Sequence, residues 1–393
     1  MIRIYTCTPV VFGGGADFFA RDSGLLCRGL QSIGVDSRAV MPGASAPEDE
    51  KDLIRTPYLN LETPAWWKDQ QLDAVVLYAW GRPKFRKVAK AVQEAGIFLI
   101  LNLDSGGPVS PLSGLTDWMR AQWIFSGSGR SFLSYLRFVK LTLRGITLGL
   151  LATDPMRSRH LKCGNIIAPV SPASAEHFRR LCHRYGGDEL STRIEVIPHP
   201  VETSFRYSGV MKHRQITCVG RWNDSLQKRS ELLMHVIDTL LARDHQVTAV
   251  IVGRSTPEME IWHRLLEPDI QKRVIIAGIA DRKELAILLD QSQVFYSPSA
   301  YESFGIAAAE ALCSGCSVVA EQALTMPAFD WFISEMSGQL IRTARHTEHA
   351  DSLLDELDQW QKGKRDARLI STIWCERLHA DHVAQKIVDL FSN

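Results

Sequence analysis

The chain has 393 residues, more than one hydrophobic core usually organises, so two domains of roughly 200 residues each are expected. Hydrophobic residues make up 45% and charged residues 23%, the balance of a soluble globular protein. A formal net charge of +1 gives no reason to expect a nucleic acid or a generally anionic partner.

Met1 to Val11 reads as a strand entering a glycine loop, without the basic region, long apolar core and cleavage site of a signal peptide. A Gly13-Gly14-Gly15 turn and a helix-like stretch ending near Gly34 follow. Ala74–Tyr78, Ile97–Asn102 and Asn165–Val170 are strand candidates, with a helix over Lys84–Glu94 between two of them. Arg130, Arg137 and Arg144 recur at seven-residue intervals beside Lys140, interleaved with Leu133, Leu136, Val139, Leu141, Leu143 and Ile146. Those cations break the longest apolar run, Phe132 to Leu151, so no membrane span is expected. A basic amphipathic helix over 130–151 suits the surface of an anionic membrane. It also suits a helix packed on the first domain with its cations in water.

Ile197 to Arg214, with Pro198, Pro200 and Gly209, reads as the interdomain linker. The second half repeats the alternation: strands at Ile216–Val219, Val247–Val252, Val274–Ala277, Val294–Tyr296 and Ser317–Ala320, helices at Ser230–Ala242 and Lys283–Gln291. The final stretch, Ile373 to Phe391, reads as one amphipathic helix with no strand after it. Strands alternating with helices imply an α/β fold of two doubly wound parallel-sheet domains, and ligands in such sheets sit at the carboxyl ends of the strands.

Tyr296 to Ala320 is the most informative stretch. A strand ends, a loop with Pro298 and Ser299 follows, and Glu302-Ser303-Phe304-Gly305 leads into a helix containing Glu310. Gly305 lets the backbone approach a ligand, and the free amides at that helix start suit a diphosphate. Glu302 at the helix mouth and Glu310 two turns deeper, ~12 Å along the axis, are placed to bind the two ends of one elongated ligand. Glu310 lies among alanines, where a carboxylate needs a partner. After the strand ending at Gly220, Arg221 and Lys228 form a second constellation, suited to neutralising a diphosphate. No Asp-x-Asp triplet occurs, which points away from a metal-held diphosphate.

Glu302 to Glu310 resembles the E-x7-E signature of family-four retaining glycosyltransferases, also called glycosyltransferases group 1. Arg221 and Lys228 resemble that family's phosphate-binding pair, Ile194–Val201 the end of its first domain, Gly13–Gly15 its glycine loop and Ile373–Phe391 its terminal helix. The resemblance implies the GT-B fold: two Rossmann-like domains facing across a cleft, an acceptor domain over 1–200, a donor domain over 201–372, and a helix over 373–393 crossing back. It implies a retaining transfer of a sugar from a nucleoside-diphosphate sugar, without metal or other cofactor, to a glycan, lipid-linked or small-molecule acceptor in cell-envelope or polysaccharide synthesis. Arg221 and Lys228 would bind the diphosphate, with Ser303, Phe304 and Gly305 at the helix start. Glu302 would contact the sugar, Glu310 the ribose, the backbone at Gly278 and Ile279 the base. Gly14 and Gly15 would close over the phosphates.

The sequence departs from the family at two places. His199-Pro200-Val201-Glu202 stands where Asn-Gly-Val-Asp is common. Leu103-Asp104 stands where a His often precedes an Asp, so Asp104 is a candidate replacement for that histidine. His199 reads as a linker packing residue. A sugar-nucleotide epimerase on the same fold and a catalytically silent partner subunit are the competing readings. The eight cysteines, Cys313 and Cys316 included, read as reduced packing thiols of a cytoplasmic protein.

Overall fold

The computed structural model describes residues 2–127, 131–342 and 345–392. The chain forms two compact units: one runs to Glu202 and resumes at Leu378, and the other is Thr203–Arg377.

The first unit holds β1 (Ile4–Cys7), β2 (Ala39–Pro42), β3 (Leu53–Thr56), β4 (Ala74–Tyr78), β5 (Phe98–Leu103) and β6 (Ile166–Pro169). They make one parallel sheet in the order β3-β2-β1-β4-β5-β6. Every residue of β1 and β4 is buried, as expected of strands covered on both faces. One face packs Leu26 and Leu30 with Val383, Ala384 and Ile387 against Ile4, Val76 and Ile100. The other packs Trp67, Val88, Phe178 and Leu181.

The second unit holds β7 (His213–Val219), β8 (Thr248–Val252), β9 (Val274–Gly278), β10 (Ser292–Ser297), β11 (Ser317–Glu321) and β12 (Gly338–Ile341), in the order β12-β11-β10-β7-β8-β9. All pairings are parallel. Counted within each unit, both sheets have the order 3-2-1-4-5-6. Each therefore reverses direction once, between β1 and β4 and between β7 and β10, and such switch points are where doubly wound sheets bind ligands.

Three strands escape the sequence reading. β2 is a four-residue segment ending in Pro42, β3 lies in a charged stretch, and β12 begins at Gly338, so none carries a periodic apolar signal. In place of one helix over Ile373–Phe391 there are two, Ala367–Leu378 and Ala380–Ser392. The break has a cause: Val201 donates to the Leu378 carbonyl at 2.7 Å and accepts from the Ala380 amide at 3.0 Å, pulling His379 into a bridge.

Arg130 lies outside the described residues. From Phe132 the chain is helical to Arg144 and continues as a π-helix over Gly145–Thr153. The wider turn begins where the Trp118 ring presses on the backbone: a Cβ at Gly145 would lie 2.2 Å from it. No residue of either segment is buried.

Candidate functional site

In the second unit the two loops at the switch point meet. The loop after β7 carries Arg221 and a short helix, Ser225–Lys228; the loop after β10 carries Ser299 and Glu302. The Lys228 ammonium donates to Glu302 Oε1 and reaches Ser299 Oγ at 3.4 Å. Gln227 donates to Glu302 Oε2 at 3.2 Å and to the Tyr301 carbonyl at 3.1 Å. The Arg221 side chain is exposed on the loop that carries Lys228.

A network beneath fixes the Lys228 loop. Arg229 takes a left-handed backbone, φ +46°, and donates to the Pro298 carbonyl at 2.5 Å and to Glu321 at 2.8 Å. His349 lies 3.4 Å from Glu321 and 2.8 Å from the Tyr296 hydroxyl. Burial works against ionisation of Glu321, but His349 and Arg229 hold its pKa below the usual carboxylate range. The sequence reading missed Gln227, Arg229, Glu321 and His349. Gln227 and Arg229 flank Lys228 and were open to notice. Glu321 and His349 carry no local signal.

Gly305, at φ +87°, begins the helix Ile306–Cys313, and no side chain caps that end. Phe304 is buried against Trp331 and Phe332, so its side chain is taken up in packing. Glu310 is 2% exposed and already has its charged partner: Arg282 donates to it at 2.7 Å and stacks on Phe205 at 4.4 Å. Gly278 ends β9 and Ile279 follows it with its side chain exposed. Cys313 and Cys316 are buried, the latter's thiol 3.0 Å from the Leu289 carbonyl.

The first unit has its own cavity, of about 700 Å³, at the switch point beside the ends of β1 and β4. Phe12, Phe18, Tyr78 and Trp80 supply aromatic walls. Asp17, Asp22, Glu48 and Asp104 supply carboxylates, with Arg21 the one cation among the lining residues. Gly13 and Gly15 also line it. Gly14 faces away: a Cβ there would fall 2.1 Å from Asp49 Oδ1, and Asp49 is paired with Arg55 at 2.8 Å. Packing alone thus requires that glycine.

His199 differs from its expected role in a linker. It lies inside the first unit, 1% exposed, with Nε2 3.2 Å from Asp104, Nδ1 3.5 Å from Asp22 and its ring stacked on Tyr78. Burial alone would lower its pKa, but Asp104 and Asp22 reverse that and raise it to about 9.

Residues 213–359 match the family model of the glycosyl transferases group 1. This is the family read from Glu302, Glu310, Arg221 and Lys228. The chain is 27% identical over 205 residues to the GDP-mannose:cellobiosyl-diphosphopolyprenol alpha-mannosyltransferase of Xanthomonas campestris, covering 50% of this chain and 52% of that protein. It is 29% identical over 133 residues to the lipopolysaccharide core biosynthesis mannosyltransferase LpcC of Rhizobium leguminosarum bv. viciae, 32% of this chain and 36% of that one. The match spans about half the length of the first relative. Anabaena HepE, solved in complex with UDP and glucose, aligns over 100% of both chains with a TM-score of 0.60 at 17% identity, a likeness of fold. The two parallel six-stranded sheets are those of the GT-B glycosyltransferases.

The His199 contacts give a pH signature. A folded-state pKa raised from 6.5 to about 9 contributes stability that is complete below pH 6.5 and is lost as pH rises through about 9. Urea unfolding between pH 6 and 9.5 should show a loss on the order of 2–3 kcal/mol across that window in the wild type. His199→Gln should flatten it. An unchanged slope in the variant would show that His199 is neutral in the folded protein.

Proposed function

We propose that the protein is a retaining glycosyltransferase that takes a sugar from a nucleoside-diphosphate donor held by the second unit. The observation that carries this is the joining of Lys228 to Glu302 at that sheet's switch point, with Arg221 exposed on the loop that carries Lys228. The acceptor class rests on the relatives: one acts on a diphosphopolyprenol-linked sugar and the other in lipopolysaccharide core synthesis. A glycan or lipid-linked acceptor in cell-envelope synthesis follows. Retention follows from the family resemblance.

Arg221, Lys228 and the amides after Gly305 meet the charge that builds on the departing diphosphate, which makes a metal unnecessary. Glu302 lies against Lys228 and contacts the transferred sugar. Glu310 takes the ribose once Arg282 releases it, and the backbone at Gly278 and Ile279 takes the base. Asp104 belongs to the first unit and serves the acceptor side.

One assay series tests this reading. With EDTA present throughout, Arg221→Ala and Lys228→Ala should each lower turnover by roughly 10²-fold. They should also weaken calorimetric binding of the free nucleoside diphosphate. Glu302→Gln should lose turnover yet keep that binding, because the free diphosphate carries no sugar. Near-normal turnover in both cation variants, or activity that vanishes with EDTA and returns with magnesium, would overturn the reading.

A second proposal concerns 130–151. We infer that this stretch rests on an anionic membrane surface. Among the described residues no helix is long and apolar enough to cross a membrane. Yet Phe132, Leu133, Leu148 and Leu151 are 60–81% exposed beside the exposed cations Arg137, Lys140 and Arg144. So many apolar side chains in water call for a cover, and the cations select an anionic one. The full chain should sediment with phosphatidylglycerol vesicles and come off as salt rises. Leu148→Glu with Leu151→Glu should weaken this at least 5-fold without moving Tm. Equal recovery on neutral and anionic vesicles would leave the helix a plain surface element.

A further inference from the structure

The first-unit cavity has a charge opposite to the one a phosphate site needs. Four carboxylates line it against Arg21, and the His199 ring is set behind Asp22, Asp104 and Tyr78. An ionised carboxylate only accepts hydrogen bonds, so its occupant must donate them. Hydroxyl and ammonium groups qualify. Phosphate and carboxylate groups do not, and they meet repulsion as well. The aromatic walls add apolar faces of the kind that cover a pyranose ring, and about 700 Å³ suits one or two such rings. A metal ion is a poor alternative: among the described residues these carboxylates do not bring three ligand atoms within 4.8 Å of one another.

Backbone conformation gives an independent sign of construction. Asp22 and Trp80 both line the cavity with positive φ, +49° and +50°, although neither is glycine. Such conformations cost energy and persist where the surroundings hold them. The His199 ring lies between the two carboxylates, Nδ1 3.5 Å from Asp22 and Nε2 3.2 Å from Asp104.

We propose that this cavity seats an uncharged or amino sugar ring and excludes uronic acid and phosphorylated sugars, with His199 as the positioning residue for Asp22 and Asp104. Calling that ring the acceptor's rests on the glycosyl-transfer reading; the charge selectivity does not. The acceptor then presents a non-anionic sugar, and the class of reaction that supplies it is an earlier transfer of a neutral or amino sugar.

The experiment is saturation-transfer NMR on the full chain at pH 7 without nucleotide. The probes are methyl β-D-glucopyranoside, its 2-amino analogue and methyl β-D-glucuronide. The first two should bind, and the glucuronide at least 10-fold more weakly. Trp80→Ala should abolish the signals. Asp17→Asn with Glu48→Gln, both at exposed positions, should narrow the glucuronide gap at least 3-fold. His199→Gln should weaken the neutral probe at least 3-fold, and His199→Arg, which restores a cation, should recover part of it. Equal binding of glucuronide, no binding of any probe, or signals that survive Trp80→Ala would each overturn the inference. Sugar binding in a protein that bound no nucleoside diphosphate would keep this inference and remove the donor reading.

Discussion

Lys228 and Glu302 lie on different loops, 74 residues apart, and their ion pair is mostly withdrawn from solvent, with side-chain exposures of 15% and 11%. Removing one member of such a pair without replacing it costs several kcal/mol, because the remaining charge stays desolvated. A ligand that draws Lys228 away must therefore bring its own negative charge, and a diphosphate does so. Arg229, Glu321, His349 and Tyr296 hold the backbone next to Lys228 from beneath.

The two units share one strand order and differ in the charged groups at their switch points. At the second, Arg221 is exposed and Lys228 is paired to Glu302, whereas four carboxylates line the first beside Arg21. Topology selects where a ligand sits, and side chains select which ligand. Backbone strain follows the same map. Among the described residues five non-glycines have positive φ. Asp22 and Trp80 line the first cavity, Arg229 follows Lys228, and Met326 precedes Pro327, which bridges to Glu302. Only Gln71 lies apart from both sites.

The sequence was most legible where a strand ran straight into a functional loop. Tyr296 to Glu310 and Val219 to Lys228 are contiguous, so their candidate residues could be picked out from spacing before any contact was known. Glu310 among alanines announced that it needed a partner, but Arg282 lies 28 residues earlier on another helix, and nothing local joins them. The first unit was less legible for the same reason. Asp22, Asp104 and His199 come from three distant segments, and only the sheet brings them together. Gly14 was read for a phosphate role from its place in a glycine triplet, and the structure adds a packing demand against Asp49 that the sequence did not show. β2, β3 and β12 went unread because four-residue strands in mixed company carry no period.

The central claim is that an anionic leaving group belongs to the second unit and is refused by the first. A crystal structure of the full chain, grown with the nucleoside diphosphate that raises its Tm most, tests this directly. The account predicts diphosphate oxygens within hydrogen-bond distance of Lys228 and Arg221, at the amide end of the helix that follows Gly305, with Lys228 parted from Glu302. A diphosphate seated among Asp22, Glu48 and Asp104, or one that left Lys228 on Glu302 and Arg221 in solvent, would contradict it.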